Sequence, residues 1–423
     1  MDRVTNISWK TTSGATLGGF GYEYDAVGRI MSRSHAIGTN AFDRVYAYDD
    51  LDRLASDDGV TYTYDAAGNR TTRTENGLTT TYTLGVGDRL ASWTGGSYAY
   101  DFAGNVTRIE HDGRSTLDLT WNSQYQLVSV ATNGAFAESY EYDALGRRAS
   151  TTTLEGTTRH VYDDNWQVIA DIDENDNVLV SYTWGDGIDN LLAVKIGGAS
   201  YYPLTDIQGT IWGYVDSQNN VVARWQYDAW GNVISEYVAP SAAALANLRY
   251  RFQCRELSAA TGLVNFRMRW YDAETGRWLS KDPIGLNGGL NQYAFCGNCT
   301  LQCRDFYGLY EGGENGYWDR YFEITNKLMV NPLPAIIAAP MAPVPKRWAP
   351  STGGRAPACG SDNEWTSLPR AFGFGHGKNN PHRPLVRSQG FRNSSATAGL
   401  VLWGIGVWNF GVATGALIGA ALW

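Results

Sequence analysis

Over residues 1–237 apolar and polar positions alternate in short runs, and Gly, Asp or Asn interrupts the runs at regular intervals. The clearest form of the pattern is Tyr-x-Tyr-Asp-x-x-Gly-Arg/Asn. It occurs at Tyr22–Arg29, Tyr62–Asn69, Tyr98–Asn105 and Tyr140–Arg147. Degenerate copies at Tyr46, Tyr82, Trp121, Tyr162, Tyr182 and Tyr227 keep a spacing of roughly twenty residues, which suits one hairpin per unit. Two tyrosines separated by one residue share a strand face, with Glu23, Thr63, Ala99 or Glu141 on the other. Asp at the first turn position and Gly at the fourth suit a type I turn, so the strand reverses at each Asp-x-x-Gly. Such hairpins bury little alone. The pattern therefore predicts one continuous sheet of stacked hairpins, with an exposed first edge unless further repeats precede it.

Composition agrees with an all-β fold. The chain has 423 residues, 43% apolar and 18% charged, enough to bury a substantial core, and Tyr (26), Trp (16) and Gly (48) are abundant. Charge changes the picture more. The net charge is −9, but from Tyr310 onward ten Lys and Arg stand against six Asp and Glu, so that part is +4 and the part before it −13. An acidic repeat region argues against nucleic-acid binding by the shell itself. The opening MDRVTNISWK is polar, carries no secretory signal, and enters the β pattern at once, as expected of the C-terminal piece of a longer chain.

The pattern changes in residues 238–309. Within it Arg269–Leu309 holds two aspartates, Asp282 and Asp305, each followed shortly by Gly-Leu, at Gly285-Leu286 and Gly308-Leu309. This stretch reads as a plug that closes the sheet. Two carboxyls brought close cannot both ionise, so one would keep a proton while the other activates water. Arg269 is placed to hold the ionised member or to polarise a carbonyl.

The YD units together with this plug resemble the RHS or YD-repeat family, whose members include bacterial RHS effectors, Tc-toxin C components and teneurin ectodomains. The stretches Tyr201–Gly209 and Trp225–Asn232 resemble the segment that leads into the family's plug. The resemblance implies a spiralled hollow β-shell that, in bacterial members, encloses a C-terminal toxin. It also implies a self-cleaving aspartyl peptidase, with Arg269 matching the Arg of Arg-Tyr-Tyr, Asp282 the Asp of Asp-Pro, and Asp305 the Asp before the closing Gly-Leu. The implied scissile bond joins Leu309 to Tyr310. Two departures stand out: Phe306 follows Asp305 where the family has Pro, and Gly297-Asn298-Cys299 replaces Asn-Asn-Pro. Both readings of the aspartates stay open, as a single-turnover peptidase or as structural turn residues.

Other chemistry is sparse, and no cofactor is expected. The cysteines are five and clustered, which does not read as a disulfide framework. Cys296, Cys299 and Cys303, with Cys254, form a weak candidate for zinc. Rows of tyrosine also suit carbohydrate surfaces, although their presence in every unit favours a structural role. In residues 310–395, seven of the chain's thirteen prolines fall between Asn331 and Pro357, an extended linker, and the stretch from His376 reads as a solvated basic loop. Residues 396–423 carry no charge, and Gly411, Gly415 and Gly419 repeat every four positions, as in a membrane-spanning or buried apolar helix. The sequence thus predicts a secreted or surface protein. Its first reading is toxin delivery, with the tail as cargo or membrane-inserting payload and an immunity protein as a further partner. Its second is a carbohydrate-binding or adhesive surface protein in which the tail is an anchor and the plug is inert.

Overall fold

The computed structural model describes residues 3–309 and two short strands, Pro343–Pro345 and Trp365–Ser367, that pair with each other. The rest of 310–423, including most of the expected linker, the basic loop and the apolar segment 396–423, lies outside the described residues. Among the described residues no helix is long and apolar enough to cross a membrane. The chain separates into two compact units; the first comprises Met1–Ala339 and Pro343–Thr366 and contains everything below.

Twenty-three strands, from β1 (Asn6–Lys10) to β23 (Val233–Val238), form one antiparallel sheet in which each strand pairs with the next in sequence. The sheet is open, with β1 and β23 at its edges. In each YD unit the first tyrosine points inward and is buried, as at Tyr22, Tyr62, Tyr98 and Tyr140, while Glu23, Thr63, Ala99 and Glu141 face solvent. The second tyrosine is half-buried, or fully buried at Tyr227, and its hydroxyl crosses to an earlier strand. Tyr48 donates to the Ile30 carbonyl at 2.8 Å, Tyr64 to Leu54 at 2.6 Å, Tyr142 to Leu127 at 2.7 Å and Tyr227 to Ile211 at 3.0 Å. Trp121 and Trp184 occupy the same position with an indole N–H donating to Val106 and Val168. The degenerate units thus keep the donor and change only the ring.

The turn behaves as the motif predicts, with a further component. Gly28 and Gly146 donate to the Asp25 and Asp143 carbonyls at 3.0 and 2.9 Å, and both take positive φ, which glycine adopts without strain. Asp25 Oδ1 accepts the Val27, Gly28 and Arg29 amides, and its Oδ2 accepts Arg29 Nε at 2.6 Å. Asn105 reaches back to Asp101 in the same way, at 2.8 Å. This explains Arg or Asn at the motif's last position: it pairs the outer oxygen of the turn aspartate. Pairing also slips by one residue at Tyr24, Tyr48, Tyr64, Tyr100 and Tyr142. A bulge at each of these tyrosines bends the sheet locally.

That bending brings distant strands face to face. Phe20 of β2 (Thr16–Tyr24) and His35 of β3 (Ile30–Ile37) pack on Trp212 of β21 (Ile211–Asp216), with ring centroids 5.8 and 4.6 Å apart. Tyr22 Oη accepts the Ile207 amide at 3.1 Å, and Asp57 Oδ2 accepts the Ala229 amide at 2.8 Å. The sheet is therefore a spiral whose first strands overlap its last. Within its curve lies the chain after β23, with short strands β24 (Glu256–Leu257), β25 (Val264–Asn265), β26 (Trp270–Asp272) and β27 (Arg277–Trp278). Phe252, Phe266, Tyr271, Trp278 and Phe295 form its own aromatic core. Leu263, Trp270 and Leu279 complete a second core with Leu90, Ile109, Leu119 and Val130 of the shell. The inward tyrosines thereby pack in the cores of the shell.

Tyr227→Phe leaves the buried Ile211 carbonyl without its donor, so unfolding free energy is expected to fall by about 1–3 kcal/mol. Tyr125→Phe, at a ring that is 55% exposed, is expected to change it by less than about 0.5 kcal/mol. Urea titrations with unchanged slope check both.

Candidate active site

Arg269 precedes β26, Asp282 follows β27, and Asp305 lies at the end of the plug, so three separate segments must converge to bring them together. They do. Arg269 Nη2 is 3.0 Å from Asp282 Oδ2 and 3.4 Å from Asp305 Oδ2, and all three residues are buried. The guanidinium lies over the Trp278 ring, 4.0 Å from its centroid, donates through Nε to the Gly308 carbonyl, and sends Nη1 to the Gln292 carbonyl at 3.3 Å. Asp305 Oδ1 accepts the Tyr307, Gly308 and Leu309 amides at 3.3, 2.7 and 3.0 Å. Leu309 is completely buried.

Two glycines permit this closeness. A Cβ on Gly288 would sit 2.2 Å from Asp282 Oδ2. Gly308 has φ +69°, and a Cβ there would meet the Phe266 carbonyl at 2.9 Å. The Gly-Leu that closes the motif is thus required by space around Arg269 and by backbone conformation.

One cation lies between two buried carboxyls. Burial pushes the Asp282 carboxyl up to about 7; Arg269 opposes the rise, and Asp305 adds to it. Asp305, with three amide donors on one oxygen and the guanidinium near the other, has the partners of an ionised carboxylate. Burial thus favours the protonated form of Asp282.

The cysteines differ from expectation. Cys296 and Cys303, seven residues apart, are joined in a disulfide, although the odd, clustered count argued against one. That bond takes two of the three thiols in the zinc candidate Cys296, Cys299 and Cys303, and no cluster of metal-ligating side chains occurs among the described residues. Cys254 and Cys299 remain thiols, and burial raises Cys254 to about 12. The disulfide closes the loop that leads into Asp305, where the family's prolines are missing. The side chain of Asn298 ties that loop to the shell, donating to the Gly68 carbonyl at 2.7 Å. Phe306, in place of Pro, offers its carbonyl to Arg255 and Arg267 at 3.3 and 2.5 Å. A cross-link and shell contacts do here what prolines would do by stiffness.

Sequence reasoning missed the ion pairs that hold the plug. Asp189 of the shell binds Arg255 and, at 2.8 Å, Arg267. Arg249 reaches Asp171 at 3.0 Å and Glu256 at 3.4 Å, and Arg148 pairs with Glu256. Burial opposes the charge on Glu256, but Arg249 and Arg148 outweigh it and hold the carboxyl well below its usual range. Thr151, His160 and Asp171 lie in hydrogen-bonded sequence at 3.0 and 2.7 Å, the order of a nucleophile, base and orienter. Burial and the adjacent Arg249 lower His160 to about 4, and Arg249 Nη1 is 3.0 Å from its ring. A base so weakened and so blocked is a docking contact. The available signal was Arg249, Arg251 and Arg255 crowded beside Glu256 among Tyr250, Phe252 and Cys254.

Comparison with known proteins bears on the family and the fold. Residues 10–296 match the family model described as the teneurin YD-shell. The chain belongs to this family. Among relatives, it is 31% identical over 249 residues to the tRNA3(Ser)-specific nuclease WapA of Bacillus spizizenii, a match spanning 56% of this chain and 10% of WapA. It is 26% identical over 214 residues to double-stranded DNA deaminase toxin A of Burkholderia cenocepacia, spanning 43% of this chain and 15% of the toxin. The chain thus spans a small fraction of these relatives. A crystal structure of TcdB2-TccC3-TEV superposes on 73% of this chain and 18% of that one, with a TM-score of 0.59 and 21% identity, a likeness of fold. The match extends the family's shell through β23 and into the plug, and one of these relatives is named as a toxin.

Because Asp282 is raised in the folded protein, its contribution to stability is full below its unfolded value near 4 and is lost as pH rises through about 7. Asp282→Asn lacks this dependence. Unfolding free energies of the two proteins measured from pH 4 to 8 are expected to shift in favour of Asp282→Asn as pH rises.

Proposed function

We propose that this chain is the shell and self-cleaving plug of a secreted toxin-delivery protein, and that residues 310–423 are its cargo. The observation that carries the reading is the convergence of Asp282 and Asp305 on one nitrogen of Arg269, beside a backbone segment held through the Gly308 and Leu309 amides. The paired carboxyls support peptide hydrolysis without a cofactor. Asp305, as the carboxylate, takes a proton from water, whose oxygen attacks the Leu309 carbonyl carbon. Asp282, as the acid, gives its proton to the Tyr310 nitrogen as the Leu309–Tyr310 bond breaks. The products are a carboxylate on Leu309 and an amine on Tyr310. Each molecule acts once, since its own chain is the substrate.

Delivery is favoured by the family and by relatives named as a tRNA nuclease and a DNA deaminase toxin, each similar to this chain over part of its length. Their different names suggest that the shell is the shared part and the cargo the variable one, with an immunity protein as the expected partner of a toxic cargo. The contrast between an acidic shell and a basic tail suits retention of the tail by the shell.

Intact masses of wild type, Asp282→Asn and Asp305→Asn decide the matter. Wild type is expected to yield a fragment beginning at Tyr310, both variants to stay whole, and the wild-type rate to fall above about pH 7 as Asp282 loses its proton. A wild-type chain that stays whole under folding conditions would make the aspartates structural.

A further inference from the structure

Asp305 can work against Asp282 only if its backbone is held, and its loop lacks the prolines that would stiffen it. Two buried amides supply the hold. Gln253 Nε2 donates to the Cys303 carbonyl at 2.9 Å, while its Oε1 accepts the Asp305 amide at 3.4 Å. One side chain thus grips the backbone on both sides of residue 304. Gln208 Nε2 donates to the same Cys303 carbonyl at 2.8 Å and to the Thr300 carbonyl at 2.6 Å. The glutamines are 2% and 6% exposed, so water cannot replace these bonds.

Both come under the control of one shell turn. Asp206 Oδ1 accepts the Gln208 and Thr210 amides, each at 2.9 Å, and Thr210 Oγ1 accepts the Gln253 amide at 3.0 Å. Gln253 has φ +49°, a conformation that disfavours a residue with a side chain and persists where surrounding bonds impose it. The turn Asp206–Thr210 lies between β20 (Ala199–Thr205) and β21, late in the spiral and packed on its first strands.

We propose that Gln253 and Gln208 are positioning residues for self-cleavage: they form an amide clamp that sets Asp305 against Arg269 and Asp282. This rests on the reading of the plug as a self-cleaving peptidase. Since Gln208 belongs to the shell, the clamp is complete only when the last turns of the shell have docked on the plug. Cleavage is thereby made to follow closure.

The test uses the full chain with Gln253→Met and Gln208→Met, which keep side-chain volume and remove the amides, and with Gln208→Asn, which only shortens the donor. Fragment formation is followed by intact mass, fold by near-ultraviolet circular dichroism, and the Asp282 carboxyl by carbon-13 NMR titration. Each Met variant is expected to cleave about tenfold more slowly or worse, as small misplacements of reacting groups do. Asp282 is expected to titrate at lower pH as the Asp305 carboxylate withdraws. Wild-type cleavage rates and an unmoved Asp282 titration in folded variants would overturn the clamp. Should a Met variant lose its native spectrum, Gln208→Asn decides by the same two readouts. If wild type itself does not cleave, a shifted Asp282 titration retains the clamp and removes the peptidase, and an unshifted one removes both.

Discussion

The structure depends on a bulge repeated at the second tyrosine of almost every YD unit. An ordinary meander of this length would twist without enclosing anything. One extra residue per hairpin, at the same place in the motif, turns local twist into steady curvature. The sheet then overlaps itself, with Phe20 and His35 meeting Trp212 and the Asp57 carboxylate capping the Ala229 amide. An interior exists because the curvature exists. The tyrosine at the bulge also hydrogen-bonds an earlier strand, so the residue that bends the sheet fastens it as well.

An enclosed interior imposes its own rule on what fills it. Charges there lose water and must find partners. The plug brings Arg249, Arg255, Arg267 and Arg269, and the shell offers Asp171 and Asp189 in matching places. Such pairs are costly to desolvate, and their best-attested use is to fix one docking register. At Arg269 the rule is deliberately unbalanced, with one cation for two carboxyls. Burial raises the Asp282 carboxyl there, and Asp305 adds to the rise.

The departures from the family pattern follow the same logic. Without prolines around Asp305, the loop is closed by the Cys296–Cys303 disulfide and gripped by Gln208, Gln253 and Asn298. Local stiffness has been exchanged for long-range contacts. Such a loop is ordered only when its surroundings are.

The sequence by itself determined the repeating local structure: the inward tyrosine, the Asp-x-x-Gly turn, the all-β sheet, and Arg269, Asp282 and Asp305 as the residues to watch. These were legible because each follows from alternation, turn chemistry or a short motif acting on neighbouring residues. The backward bond from Arg29 or Asn105 to the turn aspartate was written in the motif's last letter and needed only geometry to explain it. Tertiary structure alone decided the rest. The Cys296–Cys303 pairing, the clamp by Gln208 and Gln253, and the docking of Arg267 on Asp189 join residues whose proximity no local pattern encodes. Curvature summed over many bulges decides which strands overlap, and desolvation then decides which buried charges must meet.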